Sequence, residues 1–278
     1  MSASPSPSPA SRPISNGTLV LGAILIGLVA LFSFLSVQMY AETLSDGAYA
    51  ASYWFGTSLQ MLFAVVIIAV ALSIGWGQHV GKQWLFVGLG VAAYAIGDII
   101  WTVLDLHMGI DPYPSTADIF YTLEYAFFFV AIVLAIRSYS GITSLRKPMI
   151  AGAVISVTAA IILYFALLNP YIFDAGVEEL GFWGLIVSTL YPLGDVFFML
   201  GPAIVLALVI MQLGAGKLAW PWWIVVAGAL VFSVADSLYS FADWSGAGSS
   251  TALEMGWMSA NLLFAIAALV ARDVYRVR

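Results

Sequence analysis

YAIGDIIWTVLDL, Tyr94–Leu106, is apolar enough to cross a bilayer, yet it carries two carboxylates, Asp98 and Asp105. FSVADSLYSFADW, Phe232–Trp244, repeats the arrangement 138 residues later, with Asp236 and Asp243 at the matching positions. Acids seven residues apart share one face of a helix. Both stretches read as helices with one polar stripe on an otherwise lipid-compatible surface. An ionisable group in hydrocarbon costs roughly three to more than ten kcal/mol, so such a stripe faces protein or water.

The sequence around these stretches sets the class. Of 278 residues, 62% are hydrophobic and only 9% are charged. A soluble domain carries about 25% charged residues and has nowhere to bury so much apolar surface. The expected fold is all-α, a polytopic integral membrane helical bundle whose first partner is the lipid bilayer. A helix needs about 20 apolar residues to span, and eight segments qualify: 18–40, 53–74, 83–104, 116–137, 148–168, 184–212, 221–241 and 251–273. The first 17 residues are rich in Ser and Pro and read as a disordered tail, leaving 18–278 as one membrane domain.

Charge orients the spans. With the N-terminus in the cytoplasm, all nine basic residues fall on the cytoplasmic side: Arg12, Lys82, Arg137, Arg146, Lys147, Lys217, Arg272, Arg276 and Arg278. This is the positive-inside pattern. It predicts a cell-membrane protein with both termini cytoplasmic. Nearly all the acids fall on the other side or in the outer parts of helices, while Glu124 and Asp195 lie nearer mid-membrane.

The 138-residue offset extends into the following elements. PSTADIFY and SSTALEMGW occupy comparable positions, and the next helices end in AIVLAIR and AIAALVAR. A parallel repeat of four plus four helices follows, with halves of about 18–140 and 148–278.

The outer half offers no Lys or Arg to neutralise its acids. Their partners must be Tyr hydroxyls, Trp N–H, Ser or Thr, backbone, water, a bound cation or a proton. The recurring unit is a carboxylate beside an aromatic with a polar edge: Asp98 with Trp101, Asp236 with Tyr239, Tyr121 one turn from Glu124, and Tyr191 four before Asp195. These eight residues are the candidate lining of a polar cavity open to the outside. The simpler reading makes each acid a hydrogen-bond tie between helices, worth roughly 1–2 kcal/mol or less. Asp118 has its own local explanation: it complements the dipole of a helix capped by Ser115 or Thr116.

Other chemistry is sparse. Without cysteine there is no disulfide, thiolate metal site or thiol catalysis. Asp105, His107 and Asp111 at the outer rim are the only metal candidates, against the plainer reading of a solvated His. Neither His lies inside a span, which argues against haem, and no cofactor is expected. A pigment or quinone site lined by aromatics stays open. No nucleophile elbow, zinc-protease motif or Walker motif occurs, so no enzyme is expected, although lipid chemistry is not excluded. The few scattered basic residues give no nucleic-acid surface.

PYPSTADIFYTLEY and STLYPLGDVFF resemble motifs of multi-helix membrane input domains in bacterial and archaeal signalling proteins. There the helices precede cytoplasmic diguanylate cyclase, phosphodiesterase or kinase modules. The resemblance runs from about Val91 onward and takes in Gly97, Asp98, Pro112–Asp118, Tyr191, Pro192, Asp195, Asp236, Tyr239, Gly256 and Trp257. It implies a sensor. The sequence ends five residues after Asp273 without an output module, so the expectation is a signal passed to a separate cytoplasmic or membrane partner. Two alternatives stand beside it: a proton- or cation-coupled transporter using Glu124 and Asp195, and a structural subunit of a membrane complex.

The topology is testable because the chain has no native cysteine. In intact cells, Ser45→Cys is expected to react with a membrane-impermeant maleimide, and Ser140→Cys only after lysis. The opposite labelling would invert the orientation.

Overall fold

The computed structural model describes residues 14–214, 216–246 and 251–275. Most of the Ser/Pro-rich tail, with Arg12, and the terminal Arg276 and Arg278 lie outside the described residues. The described chain forms nine α-helices: α1 Asn16–Tyr40, α2 Asp46–Ile74, α3 His79–Thr102, α4 Ala117–Tyr139, α5 Arg146–Leu163, α6 Asp174–Gly194, α7 Gly201–Leu213, α8 Trp220–Trp244 and α9 Thr251–Tyr275. Wider π-helical turns extend α3 over Val103–His107 and join α5 to α6 and α6 to α7. Ser15 caps α1, its Oγ accepting from the Thr18 N–H at 3.2 Å.

Seven helical segments are long and apolar enough to cross a membrane. The expectation of eight separate spans changes in one place: 148–168 and 184–212 fall within a single helical run, Arg146–Gln212, of 67 residues. At 1.5 Å per residue a straight helix of that length would reach about 100 Å, over three times the hydrocarbon thickness. The run doubles back instead. Gly176 and Gly181 leave helical geometry with φ of 61° and 67°, a region open to glycine. The return brings α7 against α5, so close that a Cβ on Gly152 would lie 2.3 Å from the Val205 side chain.

Burial is arranged as lipid demands. Large apolar side chains of α1 and α5, such as Phe34, Val154 and Ile162, point outward. Small and polar residues line the helix contacts, including Gly88, Gly90, Ala93, Ala95 and Gly97 on α3. Helices in lipid gain no hydrophobic drive from meeting each other, so close van der Waals approach through small residues carries the association.

The centre of the bundle is α3, α4, α8 and α9. α2 packs on α3 and α9, while α7 packs on α4 and α8, and α1 and α5 lie at the periphery. Three aromatic pairs mark the central seam. Trp84 stacks on Trp222 at 5.1 Å between ring centroids, with planes 23° apart. Phe128 meets Phe264 at 4.4 Å, and Tyr94 meets Phe232 edge-on at 5.9 Å. Gly90 and Gly228 make room for this seam: a Cβ there would come within 2.7 Å of the Phe128 ring and 2.6 Å of the Phe264 ring.

Polar contacts tie each end of the bundle. At the basic end, Ser15 donates from its N–H and Oγ to Asp273, at 2.7 and 3.1 Å. Gln83 donates to the Ser138 Oγ at 2.7 Å, and Thr143 to Gln212 at 2.6 Å. At the acidic end, Tyr40 donates to Glu254 at 3.0 Å. The start of α1 therefore sits beside the end of α9.

The stacked indoles yield a stability prediction. Trp84→Ala and Trp222→Ala are each expected to destabilise the bundle by roughly 2–4 kcal/mol, low for aromatic truncations because the unfolded side chain stays in lipid. The double variant should lose less than the sum, since the residues share one contact. Thermal unfolding in detergent reads this, and strict additivity would contradict the coupling.

Candidate functional site

The acidic end opens into a cavity of about 610 Å³, within the usual range for small-molecule sites. α1, α2, α3, α4, α6, α8 and α9 all contribute to its wall. Eight of its 31 lining residues are acids: Asp98, Asp105, Asp111, Asp118, Glu124, Asp236, Asp243 and Glu254. Fourteen are aromatic, and among the described lining residues none is Lys, Arg or His.

Local sequence explains the rim. In DPYPSTAD the Asp111 Oδ1 accepts the Tyr113 N–H at 3.1 Å, closing an Asx turn. The following peptide, Tyr113–Pro114, is cis. Ser115 and Asp118 then form a reciprocal cap for α4. The Ser115 N–H donates to Asp118 Oδ2 at 2.6 Å, and the Ala117 N–H donates to Ser115 Oγ at 3.1 Å. Asp118 lies in the first turn of α4, as expected for a residue that complements the helix dipole, and the same carboxylate also lines the cavity. Tyr113 bonds Ser188 across to α6, Oη to Oγ at 2.5 Å. Burial, then the carboxylates of Asp118 and Asp243, push its phenol up to about 12, although the Ser188 bond pulls the other way. Tyr113 thus stays neutral at physiological pH.

Deeper in, tyrosines serve the acids across helix boundaries. Tyr121 on α4 donates to Asp98 Oδ1 on α3 at 2.9 Å. Tyr125 on α4 donates to Asp236 Oδ2 on α8 at 3.3 Å. Tyr191 on α6 donates to Asp118 Oδ1 on α4. The sequence pairs acids with aromatics along one helix; the structure pairs them between helices. Tyr191 in particular bonds Asp118, not Asp195. The physical reason is direction: the hydroxyl of Tyr stands well beyond its own helix surface and reaches the neighbour.

Seven of the eight candidate residues, Asp98, Trp101, Tyr121, Glu124, Tyr191, Asp236 and Tyr239, line this one space. The eighth, Asp195, does not. It is fully buried behind the wall, where a π-helical turn begins after Gly194, and its carboxyl faces that of Asp236. Two facing carboxyls form a hydrogen bond when one of them carries a proton. Glu124 sits in the wall at 1% exposure, and its Oε1 has no hydrogen-bond partner.

The rim trio does not assemble as a metal site. Asp105 and Asp111 line the cavity, but His107 turns to α2, where its Nε2 accepts from the Trp54 indole N–H at 3.2 Å. No group of three His, Cys, Asp or Glu able to hold a metal occurs among the described residues.

Sequence reasoning missed the α2 wall: Tyr49, Tyr53, Gly56, Thr57 and Gln60. The signal was present, since these positions recur at helical spacing on one face. It was hidden because none of them is charged. Tyr94 on α3 was also missed as a lining residue.

The fold and site together define an all-helical bundle with seven apolar segments of membrane-spanning length and an acidic, aromatic cavity at one end. No protein-family model matches the chain, and no curated protein or solved structure is detectably similar to it.

A double-mutant cycle tests the cross-helix ties. Tyr121→Phe and Asp98→Asn are expected to show a coupling of about 0.6 kcal/mol, and at most about 1.7, the range for hydrogen bonds between helices in membranes. Zero coupling in thermal unfolding would mean that the pair contributes nothing to the fold.

Proposed function

We propose that this chain is a multi-pass membrane sensor module, which binds a small ligand in the outward-facing cavity and passes the bound state to the cytoplasmic side. The observation that carries this reading is the convergence of seven candidate residues on one 610 Å³ space. The resemblance of PYPSTADIFYTLEY and STLYPLGDVFF to signalling input domains points the same way.

The doubled-back run Arg146–Gln212 supports reading the chain as eight crossings, with its basic residues cytoplasmic. The seam supports the parallel repeat. Trp84 and Trp222 are 138 residues apart, as are Tyr94 and Phe232, while Phe128 and Phe264 are separated by 136. In each pair the residues touch, as equivalent positions do beside a two-fold axis. Packing agrees: α2 lies against α9, and α7 against α4.

The packed seam favours reception over carriage. Toward the basic end, Trp84, Val87, Trp222, Val225, Phe128 and Phe264 are all at most 1% exposed. A carrier would have to part these close-packed contacts to open a second path. A sensor needs only that ligand shifts the balance between two arrangements of the halves, through different affinity for each.

The test is a small-molecule panel screened by thermal shift on the purified protein. A ligand at 100 times its Kd should add about 2.7 kcal/mol of stability. It should also change the emission of the cavity tryptophans Trp101, Trp244 and Trp257, and Asp236→Asn should weaken both responses. A panel without hits, combined with proteoliposome cation flux that Glu124→Gln abolishes, would move the protein to the carrier class.

A further inference from the structure

The chemistry of the wall narrows the ligand class. Eight acids and no described basic residue line the space, so its charged groups are all carboxyls. An anion meets no cationic side chain among the described lining residues. The acids are spread around the wall, and no three converge closely enough for a metal ion among the described residues. A diffuse positive charge on an organic body fits such a distribution better than a compact ion with a tight coordination shell.

The aromatic lining adds a second attraction. Tyr239 and Trp257 form an edge-to-face corner with centroids 5.0 Å apart, and Tyr94 and Tyr121 form a tilted pair at 5.2 Å. Aromatic faces hold cations through the ring quadrupole, most strongly where water is excluded. They also cover the apolar part of a ligand.

Two acceptors specify the head group. Glu124 Oε1 and Gln60 Oε1 both lack a hydrogen-bond partner, and their residues are 1% and 3% exposed while lining the cavity. Glu124 has the carboxyls of Asp98 and Asp236 as neighbours. Buried acceptors are rarely left unpaired in folded proteins. Shallower acids already have donors: Asp118 takes Tyr191 and its own cap, and Asp98 takes Tyr121. The unmet demand at Glu124 and Gln60 is for N–H or O–H donors.

We propose that the cavity binds an organic ammonium that bears N–H groups, a protonated primary or secondary amine on an apolar or aromatic body, with Glu124 and Gln60 as acceptors for its head group. The assignment rests on the receptor reading above and adds the ligand's chemical class. The N–H donors satisfy Glu124 and Gln60, the surrounding carboxylates balance the charge, and the Tyr239–Trp257 and Tyr94–Tyr121 pairs enclose the body.

The test uses four probes of matched shape on the full chain in zwitterionic nanodiscs, with empty nanodiscs as the partition control. The probes are phenethylammonium, its trimethylammonium analogue, phenethyl alcohol and phenylpropionate. Tryptophan fluorescence titration is expected to give saturable binding of phenethylammonium, about tenfold or more tighter than the alcohol, as charge-assisted hydrogen bonds require. The trimethylammonium should bind more weakly for want of N–H, and the carboxylate should not bind. Glu124→Gln should weaken phenethylammonium about tenfold and leave the alcohol nearly unchanged. Gln60→Leu gives a second variant that removes no charge, and the wild-type probe order decides even if Glu124→Gln does not fold. Equal affinity for alcohol or trimethylammonium would overturn the ammonium assignment while leaving the receptor reading intact. If neither these probes nor the wider panel bind, both fail.

Discussion

The constraint that organises this protein is the absence, among the described residues, of a Lys or Arg beside the acids of its cavity. A carboxylate removed from water needs donors, and the acidic end supplies no Lys or Arg. The fold answers with phenols. Tyr121, Tyr125 and Tyr191 each cross a helix boundary to reach a carboxyl. Each bond is weak in free energy, yet each fixes which helices are neighbours. Tyr121 joins α4 to α3, Tyr125 joins α4 to α8, and Tyr191 joins α6 to α4. α4 is thus pinned on three sides by groups that also form the cavity wall. The requirement to satisfy the acids and the requirement to build a wall are met by the same side chains.

The rest of the bundle follows from that wall. Seven helices turn polar or aromatic residues toward one space, while their outer faces remain apolar for lipid. Below it the chain closes with large rings and glycines, so that space is confined to one end. The rim is held by local chemistry, with the Asx turn at Asp111 and the reciprocal cap at Ser115 and Asp118 placing Tyr113 against Ser188. The result is a polar interior whose shape is set by a dry core on one side and a capped loop on the other.

Much of the fold was legible because lipid imposes a simple rule on sequence. Runs of apolar residues located the helices, and α1, α2 and α9 end within a few residues of the expected bounds. The run Arg146–Gln212 was harder. Asp174, Glu178 and Glu179 divide it into two apolar stretches in the sequence, but nothing there shows that helical turns continue almost throughout the reversal at Gly176 and Gly181. The acids of the site were legible because charge in an apolar helix stands out. Their partners were not, because a hydroxyl that reaches across to another helix leaves no periodic trace on its own. Asp195 shows the limit from the other side. It has the same sequence signature as Asp98 and Asp236, yet the π-helical turn starting there aims it behind the wall.

The stacked pair Trp84 and Trp222 has an optical consequence. Two indoles 5.1 Å apart and 23° from parallel exchange excitation energy and absorb as a coupled chromophore. Because one ring belongs to α3 and the other to α8, the resulting exciton couplet in circular dichroism depends on the spacing between those helices. The protein carries a label-free gauge at the seam, whose amplitude follows the separation and angle of the two rings.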